Sequence, residues 1–136
     1  MRIDTLVDEI LEALIDDDYF DDMLLQRALP NKIKETRLSK VNIAVGLNGI
    51  DVSPNQIDGD TLAGDVSLIF NIFIPISMDD RGFSSILNKI CSDLCYKNIV
   101  SIKTNKICVN SNIQAYELEA SITFRDEISF GGREDE

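Results

Sequence analysis

The sequence predicts an α+β domain, in which a small, mostly antiparallel β-sheet is packed by an N-terminal helix and a central helix. Three observations predict it. Apolar residues recur at three-and-four spacing in two separate stretches, one at the N-terminus and one after Pro75. Between and after those stretches, apolar residues alternate with polar or small ones at the period of two that a strand requires. The 136 residues suit one core, and 44% apolar with 27% charged residues is too apolar a composition for a disordered chain.

Ile3, Leu6, Val7, Ile10, Leu11, Leu14 and Ile15 share one helical face, with Asp4, Asp8, Glu9 and Glu12 opposite, which predicts the first helix. The acidic run Asp16 to Asp22 around Tyr19 and Phe20 is expected to be irregular or weakly helical. Met23, Leu24 and Leu25 suit an extension into a second short helical turn before Pro30 closes it, and the whole stretch reads as irregular or weakly helical. Val41, Ile43, Val45 and Leu47 then alternate with Asn42, Ala44 and Gly46 as a strand, and Asn48-Gly49 suits a tight turn or bulge before Ile50 and Val52. The stretch Ser53 to Gly64, with Pro54, Gly59 and Gly64 and little apolar content, reads as a long loop, of a length that is often functional or ordered by a partner.

Val66, Leu68, Phe70, Ile72 and Ile74 predict a second strand. Ile69 and Phe73 interrupt its polar face, so both faces are expected to be covered, one by helices and one by a neighbour. Pro75 ends that strand, and Ser77, Asp79 and Asp80 suit a helix start, with negative charge at the positive end of the dipole. Phe83, Ile86, Leu87, Ile90, Cys91 and Leu94 give the second amphipathic helix, expected over the sheet. Ile99 to Val109 is rich in β-branched residues, and Asn110-Ser111-Asn112 is turn chemistry. A long alternating run follows, with Tyr116, Leu118, Ala120, Ile122 and Phe124 on one face and Glu117, Glu119, Ser121, Thr123 and Arg125 on the other, so the pair reads as a terminal hairpin. Residues 1–125 are thus expected to form the domain and 126–136 a charged, mobile tail. Periodicity leaves the order of strands in the sheet open.

The formal charge of −11 and the sequence pI near 4.3 repel phosphate backbones and anionic headgroups, which argues against nucleic acid or membrane as direct partners. The charge is unevenly placed. Residues 1–30 carry Asp4, Asp8, Glu9, Glu12, Asp16, Asp17, Asp18, Asp21 and Asp22 against Arg2 and Arg27, whereas residues 31–40 carry Lys32, Lys34, Arg37 and Lys40 against Glu35. This asymmetry suits head-to-tail contact between copies, the alternative being ordinary solvated surface. The candidate interface is therefore Asp16, Asp17, Asp18, Asp21 and Asp22, with Lys32, Lys34, Arg37 and Lys40, and with Pro54, Asn55 and Gln56 of the long loop reaching toward a neighbour.

Chemistry finds little footing. There is no histidine, so Ser-His and Cys-His nucleophile pairs are impossible. Cys91, Cys95 and Cys108 lack both a fourth zinc ligand and a disulfide framework, and are read as reduced, buried small hydrophobes of an intracellular protein. The Asp16 to Asp22 run lacks the glycine and spacing of a calcium loop, and no two of the many acids stand out as a catalytic pair. Val45-Gly46-Leu47-Asn48-Gly49 has neither the third glycine of a dinucleotide fingerprint nor the lysine of a phosphate loop. No catalytic residue, metal or cofactor is expected. No apolar run reaches the roughly 18 residues needed to span a bilayer.

Several stretches carry a family likeness: Val41-Asn42-Ile43-Ala44-Val45-Gly46-Leu47 followed by Ile50-Asp51-Val52, then Gly64-Asp65-Val66 leading into Phe70-Asn71-Ile72-Phe73-Ile74-Pro75. Gly82 at the second helix and Asn112-Ile113-Gln114-Ala115-Tyr116 before the last strand extend it, so that it spans roughly residues 3 to 125. In these and in its element order the chain resembles the tail-terminator and tail-completion proteins of phages infecting Gram-positive bacteria and of phage-derived contractile particles. The resemblance implies a non-enzymatic protomer of a six-fold ring that caps the tail tube and meets the sheath or the head-side connector. It would be made in the bacterial cytoplasm and then carried in the particle. Other connector or baseplate subunits share this outline, and an acidic adaptor that binds a basic enzyme is the competing reading from another class. The acidic stretch Asp16 to Asp22 and the charged tail have no counterpart in the family pattern.

Overall fold

The computed structural model describes residues 1–28, 39–58, 61–78 and 82–129. After a 3₁₀ turn, Ile3–Thr5, helix α1 runs Leu6–Ile15 and buries Leu6, Val7, Ile10 and Leu14. A second 3₁₀ turn, Asp18–Phe20, drops Phe20 into the core at the end of that helix. The strands are β1 (Leu24–Arg27), β2 (Asn42–Asp58), β3 (Thr61–Pro75), β4 (Ile99–Thr104), β5 (Cys108–Asn110) and β6 (Ala115–Ile128), with helix α2 (Gly82–Asp93) between β3 and β4. The α+β class is as the periodicity predicts.

The sheet order is β1-β2-β3-β6-β4, with β5 also paired to β6. Only β1 runs parallel to its neighbour, with Leu24 opposite Asn42; the other pairs are antiparallel. Alternation along β3 and β6 sends Val66, Leu68, Phe70, Ile72 and Ile74, with Leu118, Ala120, Ile122 and Phe124, to the side where Phe83, Ile86 and Ile90 of α2 join them in one core. A small cluster of Phe73, Ile113 and Ala115 lies apart from that core, so Phe73 interrupts the polar face because it has partners there. Around Ile69, the other apolar residue on that face of β3, the face is polar, with Ser67 and Ser121 hydroxyls 2.9 Å apart and Arg125 bound to Asp65.

Three sequence expectations change. Leu24 and Leu25 form β1 rather than a helical turn, because the Leu24 N–H donates to the Val41 carbonyl and a parallel ladder follows. The stretch Ser53 to Gly64 is not a long loop: β2 runs on to Asp58 and β3 begins at Thr61, with Val52 opposite Gly64 and Ile57 opposite Leu62. Pro54, Asn55 and Gln56 accordingly lie in β2, where a register irregularity between Val52 and Ile57 accommodates the proline. At Asn48, where the sequence suits a tight turn or a bulge, the structure has the bulge, within a continuous β2. Finally, Asp126 to Ile128 continue β6, and the N-terminal segment joins them, with the Ile3 N–H donating to the Ser129 carbonyl at 2.8 Å. The tail beyond residue 129 lies outside the described residues, as do Asp79 and Asp80.

Candidate functional site

Asp17 begins the 3₁₀ turn after α1, and its Oδ1 accepts the Tyr19 N–H at 2.9 Å, which is why a run of acids bends here instead of extending the helix. Its Oδ2 lies 3.0 Å from Lys89 Nζ on α2, an ion pair without an aligned hydrogen bond. Asp93, one helical turn beyond Lys89, closes the group, and its Oδ2 is likewise buried without a partner. A shallow cleft of about 500 Å³ opens between these elements, lined by Ala13, Asp16, Asp17, Asp18 and Asp93.

The two carboxyls are driven apart. The Tyr19 amide, then Asp93 and Lys89, hold Asp17 down to about 2. Desolvation, then the Asp17 carboxylate, push Asp93 up to about 6, and its place at the negative end of α2 acts in the same sense. Below about pH 6 the pair can share one proton, and the cleft beside it is lined by carboxylates with Ala13 as its one apolar residue among the described residues. Among the described residues no group of three or more acids or cysteines is arranged to hold a metal.

A second polar clasp joins Glu9, about two turns earlier on α1, to Tyr96 and Lys97 just beyond the end of α2. Burial opposes the charge on Glu9, but Lys97 Nζ at 3.0 Å and the Tyr96 hydroxyl at 2.9 Å outweigh it and lower its pKa. Tyr96, desolvated and facing that carboxylate, is pushed up to about 12. Both clasps tie α1 to the end of α2 and read as structural.

The residues picked from sequence are thus only partly brought together. Asp16, Asp18, Asp21 and Asp22 are exposed and carry no ion pair among the described residues, while Asp17 is half-buried and committed to Lys89. Lys32, Lys34 and Arg37 lie outside the described residues. Lys40 is exposed and precedes Val41, whose carbonyl accepts from Leu24, so it begins β2 at the end of the sheet where Asp22 leads into β1 of the same chain. Asp93 escaped sequence reasoning because nothing local connects it to Asp17. The reading of all three cysteines as buried also fails: Cys95 and Cys108 are exposed, and only Cys91 is partly buried, which raises its pKa.

No known family and no curated protein sequence matches the chain. Among solved structures, a chain from the virion of a native gene transfer agent particle superposes with a TM-score of 0.51 at 11% identity, over 87% of this chain and 91% of that one. The two share a fold. At this identity the likeness reaches the course of the backbone and no individual side chain, and it covers nearly the whole of both chains. No helix among the described residues is long and apolar enough to cross a membrane.

Proposed function

We propose that the chain is a structural subunit of a phage or phage-derived particle, and more narrowly the terminator that caps its tail tube as a six-membered ring. The observation that carries this reading is the end-to-end fold likeness to a chain of a gene transfer agent virion. The family resemblance of residues 41–52, 64–75 and 112–116 narrows it to the terminator, and to particles of Gram-positive hosts. The ring would sit on the last layer of the tube, its partners being further copies of itself, the tube and the sheath or connector. On this reading the chain catalyses nothing, and its carboxylates shape contacts rather than chemistry.

Removal of the gene, with particles imaged afterwards, tests the role. A missing terminator leaves tube growth unchecked, so tubes of irregular and excessive length are expected, restored to one length by the intact chain. Tubes of normal length joined to heads would refute the terminator role. Normal tubes that fail to join heads would move the subunit to the connector.

A further inference from the structure

Among the described residues, the two edge strands of the sheet differ in charge. One edge is built by β4 and β5, which pair with β6 on one side and with no described strand on the other. Between Asp93 and Glu117 the chain carries Lys97, Lys103 and Lys106 and no carboxylate. Lys97 is held by Glu9, whereas Lys103 and Lys106 are exposed without an ion pair among the described residues. The carboxylates closest in the sheet, Glu117 and Glu119, are bound by the Asn110 and Asn105 amides.

The same edge is apolar. Val100, Ile102, Ile107 and Val109 are 39% to 60% exposed, which makes this the densest run of exposed large apolar side chains among the described residues. Ile102 also walls a groove of about 610 Å³ with Leu87 and Cys91 at its floor and Ser84, Ser85 and Asn88 at its rim. The register slips at Val100, and this bulge, with the two lysines, is the usual guard against indiscriminate strand pairing. An edge that is apolar yet guarded suits one chosen partner.

The opposite edge is β1, the last strand in the order. Leading into it are Asp18, Asp21 and Asp22, exposed and in no ion pair among the described residues, with Ile15 and Leu24 exposed beside them; Lys40, before the adjoining start of β2, is the one described cation at this corner without an ion pair, and the three carboxylates outnumber it. A chain of net charge −11 repels its own copies at long range, so attraction between copies has to come from local complementarity. The free cations of one edge and the free carboxylates of the other supply it.

We propose that the β4–β5 edge of one copy docks against the β1 edge of a second copy, with Lys103 and Lys106 facing Asp18, Asp21 and Asp22. Two different patches meet, so the contact is heterologous and repeats around a ring or along a filament. Only its closure into a ring rests on the subunit reading above; the contact itself does not.

The experiment compares the full-length purified chain with K103E/K106E, with D21K/D22K and with the four substitutions combined, each checked for folding by circular dichroism. Sedimentation over a concentration series reads self-association. Wild type is expected to associate, each reversed pair to weaken association at least about tenfold, and the combined variant to regain it because the charges are complementary again. A wild type that stays monomeric overturns the proposal, as does a K103E/K106E variant that associates as tightly as wild type or a combined variant that gains nothing. Loss of association on reversing Lys32, Lys34, Arg37 and Lys40, with K103E/K106E unaffected, overturns it in favour of the segment after β1. Tube length in the gene-deletion experiment is a separate readout, so failure of the contact and failure of the terminator role are distinguishable.

Discussion

Replacing Asp93 with asparagine should stabilise the fold at neutral pH and leave it unchanged in acid. In the folded chain Asp93 holds its proton up to about 6, against a reference of 3.8, because it is desolvated and faces the Asp17 carboxylate. The folded state therefore binds this proton more tightly than the unfolded chain. The associated stability is fully present below pH 3.8 and is lost as pH rises through about 6. At about 1.4 kcal/mol per tenfold the full displacement would correspond to about 3 kcal/mol. Asp93 is only partly buried, at the side of a shallow cleft, and solvent screening reduces the effect to about 1 kcal/mol. Asparagine at this position carries no charge, and its amide can donate to Asp17 in place of the shared proton. Urea denaturation followed by circular dichroism at pH 4, 5, 6 and 7 gives the difference between the two chains, in which titrating groups away from the Asp17–Asp93 pair cancel, and Asp17 itself is ionised throughout this range. The expected difference grows from near zero at pH 4 to about 1 kcal/mol in favour of D93N at pH 7. A difference that is flat across this range, or D93N less stable at pH 7, would refute the assignment of a shared-proton pair.

Asp17 should act in the opposite window: its carboxyl is held at about 2, so the stability it brings is present above pH 3.8 and lost as pH falls toward 2, and D17A should flatten the acid limb of the stability curve. Gly64→Ala should destabilise by about 1–3 kcal/mol in the same denaturation assay, because the new methyl would lie 2.5 Å from the Asp51 carbonyl oxygen and 2.8 Å from Val52 Cα, backbone atoms that cannot swing aside. Phe70→Ala, at a fully buried site in the middle of β3, should lose about 3–5 kcal/mol. A thiol reagent applied to the native protein should modify Cys95 and Cys108 promptly and the partly buried Cys91 more slowly, which mass spectrometry of the labelled peptides checks.

The elements legible in the sequence are those whose stability is written locally. Helices α1 and α2 and the central parts of β2, β3 and β6 each carry an apolar stripe at the correct period, because each buries one face against the common core. What escaped is fixed by distant partners. Four residues, Leu24 to Arg27, hold no periodicity that separates a strand from a helical turn, and they become β1 only because β2 offers a parallel ladder. The stretch from Ser53 to Gly64 looks like a loop for want of apolar alternation, yet β3 pairs with β6 as far as Leu62 opposite Ile128, and that rail carries the hairpin onward. In the candidate site, the acidic run was legible as a cluster, but its one committed member, Asp17, is singled out only by Lys89 and Asp93 on another helix.

The exposed run on β4 and β5 shows how the same limit bears on assembly. Val100, Ile102, Ile107 and Val109 look like core in the sequence because they are β-branched and closely spaced, and their high exposure follows from position: β6 gives them one neighbour and the sheet stops. Strand propensity is thus satisfied while burial is not. A single copy has no described element to cover this edge, and the chain's excess negative charge excludes most casual contacts. The lysines that interrupt the run leave it attractive mainly to an acidic surface, and the other end of the same sheet provides one. A fold with helices packed on one face, long paired strands in the middle and unlike charges at its two edges has the asymmetry that a head-to-tail contact requires. The oligomer mass of the charge-reversed chains decides whether the protein uses it.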